Sequence, residues 1–312
     1  MEPEVSFLIG AERSGTTLLR LALNAHSQIA WAREFEYAVD RVGADGSYPD
    51  LSDYLEWLAT HRIFQSSGYQ IGEGLSYPAL VRSFLEQQRT SEGKRLVGAT
   101  VHRHFDRCLR IWPDARFIHL VRDPRDVARS ALRMGWAGNT WKAVDQWLEA
   151  ERLWERMRTL IPPHRRIDLR YESFARRPEE ELRRLCGFLG LPYESRMLEF
   201  HRWSSYRRPD PALIDQWKRK ASAREIAWVE IRAGEQMARL GYERSGPAPK
   251  PPGSLQRAAL SIHDYWKRVL FRVRRNGFGL FVADWAVRRL GVRSWQNALR
   301  LRINAVEAKH LH

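Results

Sequence analysis

GAERSGTT (residues 10–17) follows the apolar run VSFLI (5–9) and leads into LLRLAL (18–23). Its spacing fits the phosphate-loop pattern G-x-x-x-x-G-K-[ST] at every position but one: Thr16 stands where the lysine of a triphosphate-binding loop belongs. Leu18, Leu19, Ala22 and Leu23 recur at helical spacing, so a short buried strand, a glycine turn and a helix are expected in succession. Such a junction points several backbone N–H groups and the positive end of the helix at one spot. Gly15 lets the backbone approach an anion closely, and Ser14, Thr16 and Thr17 add hydroxyl donors. The plain alternative is a strand-to-helix turn capped by serine.

A kinase or NTPase needs the missing lysine, together with Mg²⁺ held by an acidic side chain. Here the cation comes earlier, at Arg13. That suits a ligand with one 5′-phosphate joined to a less charged group, such as a sulfonate, whose transfer needs no metal. An arginine beside the bridging oxygen would stabilise charge developing on the leaving phosphate. A second segment, FIHLVRDPRDVARS (117–130), reads as a strand, the turn RDPRD and a helix starting near Asp126. Arg122 falls at the strand's C-terminal end, where open α/β sheets bind ligands, and Ser130 lies one turn into the helix. The two could grip another phosphate through charge-assisted hydrogen bonds. Alternatively Arg122, Asp123, Arg125 and Asp126 form a structural ion-pair cluster.

Working outward, RLVGATV (95–101), ARFIHLV (115–121) and RRIDLRYE (165–172) read as further strands, with helices over 141–160 and 178–189. Residues 40–95 read as irregular and rich in aromatics, including Tyr48, Tyr54, Trp57, Phe64, Tyr69, Tyr77 and Phe84; they could form an acceptor lid or pack a core. Strands separated by helices predict an α/β fold, a P-loop-like parallel sheet flanked by helices. SGPAPKPPGS (245–254) holds four prolines and reads as a linker. The expected division is a nucleotide-binding domain over 1–245, a Pro-rich linker over 246–254 and a basic aromatic helical extension over 255–312, with helical periodicity at 255–275 and 280–290.

The 312-residue chain is 44% hydrophobic and 29% charged, a globular composition. Its net charge of +15 favours anionic partners, and the extension carries twelve Lys or Arg against three acids. The extension could lie on an anionic membrane surface, pack on the main domain or build a homodimer; no nucleic-acid module is recognised. No apolar run is long enough to span a bilayer, and the acidic N-terminus does not read as a signal peptide. Cys108 and Cys186 sit in apolar context without metal-ligand spacing, which predicts reduced core thiols and a cytoplasmic protein, with a peripheral membrane location open to it.

ERSGTTLL (12–19) and LVRDPRDVARS (120–130) resemble the 5′-phosphosulfate loop and the R-D-P-R-D-x-x-x-S motif of sulfotransferases that use 3′-phosphoadenosine 5′-phosphosulfate (PAPS), with likeness to the protein-tyrosine and heparan types. RYESFARRPEEELRRLCGFLGLPYE (170–194) and WKRKASAREIAWVEIRAGEQMARLGYE (217–243) resemble later segments of that family, in the family's order. The resemblance implies transfer of a sulfonate from PAPS to a hydroxyl on a glycan, lipid, phenol or peptide, leaving adenosine 3′,5′-bisphosphate, without a metal. It implies that Arg13, Ser14, Gly15, Thr16, Thr17 and Leu18 hold the 5′-phosphosulfate, that Arg122 and Ser130 hold the 3′-phosphate, that Tyr171 lies by the adenine and that Lys218 closes over the nucleotide. The competing readings are a non-catalytic binding protein on the same fold and a P-loop kinase.

Sulfonation of a hydroxyl needs a proton acceptor within hydrogen-bond reach. By resemblance Glu34, 21 residues past Arg13, takes that place, with Glu36 the neighbouring alternative; in the small-molecule branch a histidine does so, and His102 and His104 are the candidates. Many relatives carry a lysine in a G-x-K-T-P segment where this chain reads GATVH (98–102). Arg13 then acts alone at the leaving group, or His102 or Arg103 substitutes.

Overall fold

The computed structural model describes residues 4–291 and 293–308. VSFLI forms β1 (Val5–Ile9), and its neighbours are β2 (Ile29–Glu34), β3 (Leu96–Val101), β4 (Arg116–Val121) and β5 (Arg166–Arg170). All pairings are parallel, in the order β2-β3-β1-β4-β5. Strands this apolar can sit only where both faces are covered. Phe7 and Ile9 point to one side and Leu8 to the other, so each joins a different buried cluster. On the Leu8 side, α1 (Thr16–Asn24) packs with α6 (Tyr171–Arg176) and α7 (Pro178–Leu189). On the other side lie α3 (Tyr77–Ser91), α4 (Pro124–Arg133), α5 (Asp145–Met157) and α8 (Ala223–Arg239), the last opened by a Ser222–Glu225 capping box.

The expected α/β architecture is present, with differences of detail. Residues 40–95 are not irregular: they hold α2 (Leu51–Leu58), a helical turn Arg62–Gln65 and α3. Four of their aromatics pack into the core, whereas Tyr48 is exposed and Trp57 half-buried. Tyr54, Phe64, Tyr77 and Phe84 are buried, and the Tyr54 and Tyr77 hydroxyls donate to the Tyr37 and Ala38 carbonyls at 2.9 Å. The helix expected over 141–160 is divided into Thr140–Ala143 and α5. Both cysteines are buried and free.

Beyond the proline-rich segment come α9 (Ser254–Asn276), α10 (Phe278–Leu290) and α11 (Arg293–Ala308). α9 is fastened where Asp264 accepts from the Gly138 amide at 2.7 Å and the Asn139 side chain donates to the Leu260 carbonyl at 2.8 Å. α11 is fastened by Asn304 donating to the Thr60 carbonyl at 3.0 Å. No helix among the described residues is long and apolar enough to cross a membrane.

Candidate functional site

The register aligns Ile9 with Val101 on one side and with His119 on the other. The loops after β1, β3 and β4 therefore emerge together at the C-terminal edge of the sheet, beside the point where strand order reverses. The first loop is backbone-determined. Gly10 has φ +141°, and a Cβ there would lie 2.2 Å from the Leu120 carbonyl oxygen. Arg13 takes a left-handed φ of 71°, and Gly15, at φ 98°, caps α1. A Cβ on Gly15 would meet the Tyr171 ring at 2.4 Å, so glycine is required there by both conformation and space.

The two phosphate-type motifs meet. Arg13 Nε donates to Ser130 Oγ at 2.9 Å, and the Arg13 guanidinium lies 5.8 Å from the Trp136 ring centroid. Arg122 stacks 4.1 Å above the centroid of Tyr171, the ring that touches Gly15. Tyr171 is 3% exposed and fills the space between the loop and Arg122. Arg122 Nη2 donates to the Leu213 carbonyl at 3.0 Å and lies 3.5 Å from Asp126 Oδ2, while its Nε is buried without a hydrogen-bond partner. Ser14 Oγ, also fully buried, lacks one as well. Buried donors left unpaired are costly, and a ligand that brings acceptor oxygens to the loop and to Arg122 on either side of Tyr171 would satisfy both.

The ion-pair cluster weighed for RDPRD is also real, and Arg122 joins it through Asp126 at 3.5 Å. Asp123 caps α4 and binds Arg125 at 2.6 Å; Arg125 reaches Glu230 at 2.7 Å and stacks 3.6 Å from the Trp217 ring centroid. Asp126 Oδ1 accepts from the Trp217 amide at 2.8 Å. These contacts brace the turn that presents Arg122.

On the β3 side, His102 Nε2 lies 3.0 Å from Thr16 Oγ1, and its Nδ1 lies 2.7 Å from Glu36 Oε1, which also accepts from the His102 amide at 2.9 Å. Burial alone would draw the imidazole pKa down, but the Glu36 hydrogen bond and charge, with Glu12 and Glu34 nearby, outweigh it and hold His102 above its ordinary value. Burial likewise favours a neutral Glu36, and its hydrogen bond and ion pair with His102 reverse this, lowering its pKa. Both shifts favour the imidazolium–carboxylate form. In that form both ring nitrogens donate and Thr16 Oγ1 accepts from His102.

Glu34 ends β2 as a half-buried strand residue, within electrostatic reach of Arg20, Glu12 and His102, and without a hydrogen bond or ion pair among the described residues. Glu36, by contrast, is fully engaged with His102. His104 is exposed and outside this network. Thr17 and Leu18 lie half-buried in the first turn of α1. Lys218 is exposed, its ammonium 2.7 Å from Asp215 and 5.3 Å from the Trp217 ring centroid, so its partners are not the loop residues. Two groups join the site that their residue types did not announce. Glu12, its carboxyl raised mainly by burial, lies 3.9 Å from Arg103, and Arg103 forms a paired bond with Asp40 at 2.9 and 2.7 Å. Glu12 sits inside the GAERSGTT stretch, which is the one signal that could have flagged it.

Comparison with known proteins gives a consistent result. The profile of the sulfotransferase family matches residues 6–195. A Caenorhabditis briggsae protein assigned by name to the protein-tyrosine sulfotransferases is 25% identical over 208 residues, covering 64% of this chain and 69% of its own. The omega-hydroxy-beta-dihydromenaquinone-9 sulfotransferase Stf3 of Mycobacterium bovis is 30% identical over 155 residues, 45% of this chain and 39% of that protein. Among solved structures, the sulfotransferase domain from the curacin biosynthetic pathway superposes with a TM-score of 0.54 at 19% identity, covering 77% of this chain and 98% of the domain. The sulfotransferase domain of the Synechococcus PCC 7002 olefin synthase does so with a TM-score of 0.51 at 20% identity, covering 76% and 95%. The two structures share the fold.

Proposed function

The chain belongs to the sulfotransferase family and is an enzyme of sulfonate transfer from PAPS to a hydroxyl; on that premise we propose how its residues divide the work. Residues 1–245 carry the nucleotide site and the chemistry, 246–254 are a linker and 255–312 an accessory surface. Arg13, Ser14, Gly15, Thr16, Thr17 and Leu18 hold the 5′-phosphosulfate. Arg122 and Ser130 hold the 3′-phosphate, with Tyr171 spacing Arg122 from the loop. The observation that carries this is the bond between Arg13 and Ser130, which joins the two anion-binding segments into one site. Lys218 would have to leave Asp215 to reach the nucleotide, and we assign it to a closing movement.

Glu34 is the proton acceptor for the attacking hydroxyl. It lies in the same cleft and, unlike Glu36, is not tied to another side chain. Glu36 holds His102 charged, and His102 orients Thr16 toward the leaving phosphate. This cation stands in for the lysine absent from both the loop and the GATVH segment, and it answers the puzzle of Thr16: no γ-phosphate or Mg²⁺ needs to be held. Arg13 carries the remaining charge stabilisation at the bridging oxygen.

For the acceptor we favour a cavity of about 470 Å³ that reaches Asp40 and Arg103, next in sequence to His102. Its walls mix Trp57, Ile63, Val287, Leu299 and Ile303 with a larger polar and charged lining that includes His61, Asp284 and Arg300. The relatives' names indicate a tyrosine side chain in one case and an omega-hydroxylated dihydromenaquinone in the other, both hydroxyls on bulky apolar groups. A labelled-PAPS transfer screen across glycan, lipid, phenol and peptide hydroxyls tests the proposal. Transfer to an apolar-bodied hydroxyl that Leu299→Trp selectively blocks is the expected result; no transfer to any class would refute it.

A further inference from the structure

Among the described residues, ten of seventeen exposed large apolar side chains lie between residues 255 and 301. Their placement is ordered. On α9, Leu260 and Asp264 face the main domain, one turn apart, and Phe271 packs against Gly135. Leu255, Ile262, Trp266 and Leu270, spaced i, i+7, i+11 and i+15, fall on the opposite side and are exposed, Leu255 to 87% and Trp266 to 58%. Apart from Val269, which is buried, the apolar stripe of this helix thus faces outward, while a carboxylate faces the protein. Phe278, Val282 and Trp285 repeat the pattern along α10, at i, i+4 and i+7, with Phe278 exposed to 71%. On α11 Trp295 and Leu301 are exposed as well.

Cations rim this surface. Lys267, Arg272, Arg274, Arg289 and Arg302 are all exposed, and the Arg289 guanidinium lies 4.2 Å from the Trp285 ring centroid. Aromatic and aliphatic side chains interleaved with arginines on helices lying side by side match the chemistry of a bilayer interface, where rings enter the headgroup boundary and cations meet anionic lipid. A second copy of the chain fits poorly. Residues 255–312 carry twelve Lys or Arg against three acids, so two such faces would oppose like charge.

We propose that the outer face of α9, α10 and α11 docks on an anionic membrane surface. The inner side of α10 and α11 lines the cavity assigned above to the acceptor, so docking would bring that cavity to the lipid boundary; this consequence rests on the sulfotransferase reading, whereas the docking itself does not.

The test is co-sedimentation of the full chain with vesicles of phosphatidylcholine alone or mixed with phosphatidylglycerol. We expect binding at least about tenfold tighter to the anionic vesicles, weakening as salt is raised. The double variant Trp266→Glu/Trp285→Glu, altering two exposed residues, should lose about tenfold or more of that binding while keeping its affinity for adenosine 3′,5′-bisphosphate. Equal binding to both vesicle types, undiminished binding by the variant, or a dimer in ultracentrifugation that the variant dissolves would each overturn the proposal. Vesicle binding that survives alongside failed nucleotide binding would uphold docking and strike at the sulfotransferase reading instead.

Discussion

Arg13 Nε donates a hydrogen bond to Ser130 Oγ across 2.9 Å, although 117 residues separate them in the chain. The contact ties the loop after β1 to the helix after β4, so an anion bound at one is felt at the other. Loss of the Ser130 hydroxyl should therefore weaken both phosphate ends. Ser130→Ala is expected to reduce affinity for adenosine 3′,5′-bisphosphate about tenfold, the scale of one hydrogen bond to a charged group, as read by calorimetry. An unchanged affinity would place Ser130 outside the site.

The imidazolium of His102 gives a pH signature. Its folded pKa is raised, so its charge is complete below the ordinary imidazole value and is lost as pH rises through the higher folded one. Turnover should fall on that alkaline side. Glu36→Gln removes the carboxylate that holds the charge and should move the fall to lower pH, whereas a purely structural Glu36 would lower activity without moving the profile. His102→Gln should reduce kcat about 10- to 100-fold with little change in nucleotide affinity.

Glu34→Gln should cut kcat about 100-fold or more and leave nucleotide binding intact, the usual consequence of removing a general base. Full activity of this variant, with loss on Glu12→Gln, would move the proton acceptor to the buried carboxyl of the loop.

A second buried network sets stability rather than chemistry. His119 lies 2.9 Å from Asp168 and 3.3 Å from Glu151, stacked on Trp154. Burial would lower its pKa, but Glu151 and Asp168 raise it to about 9 from 6.5. The raised pKa contributes stability that is whole below about 6.5 and disappears as pH climbs through about 9. Tm should fall across that window, and His119→Gln should both flatten the fall and cost about 3–5 kcal/mol, because Glu151 is left buried without its partner. Thermal denaturation at several pH values checks both.

Much of this architecture is legible from local pattern. β1, β3 and β4 are mainly apolar runs, β5 alternates charged and apolar residues, and the two phosphate-type turns have residue spacings with a physical meaning. β2 is not: IAWARE contains two alanines and reads as well after a helix as in a strand, and what makes it a strand is pairing with β3. The helix α3 was detectable, since Tyr77, Leu80, Val81, Phe84 and Leu85 follow helical spacing, but the segment read as irregular and its aromatics left lid and core packing equally open. The Thr16–His102–Glu36 chain could not be read at all. It joins residues 86 and 66 positions apart through the sheet register. Lys218 shows the converse: a motif match locates a residue in sequence without fixing which carboxylate its ammonium meets.

The most direct test is calorimetric comparison of adenosine 3′,5′-bisphosphate with ADP on the wild-type chain and on Arg122→Ala. Wild type should prefer the 3′-phosphorylated nucleotide by about 10- to 100-fold, and the variant should lose that preference while still binding ADP. Equal affinities on the wild type, or a preference that survives Arg122→Ala, would contradict a single site spanning the GAERSGTT loop and Arg122.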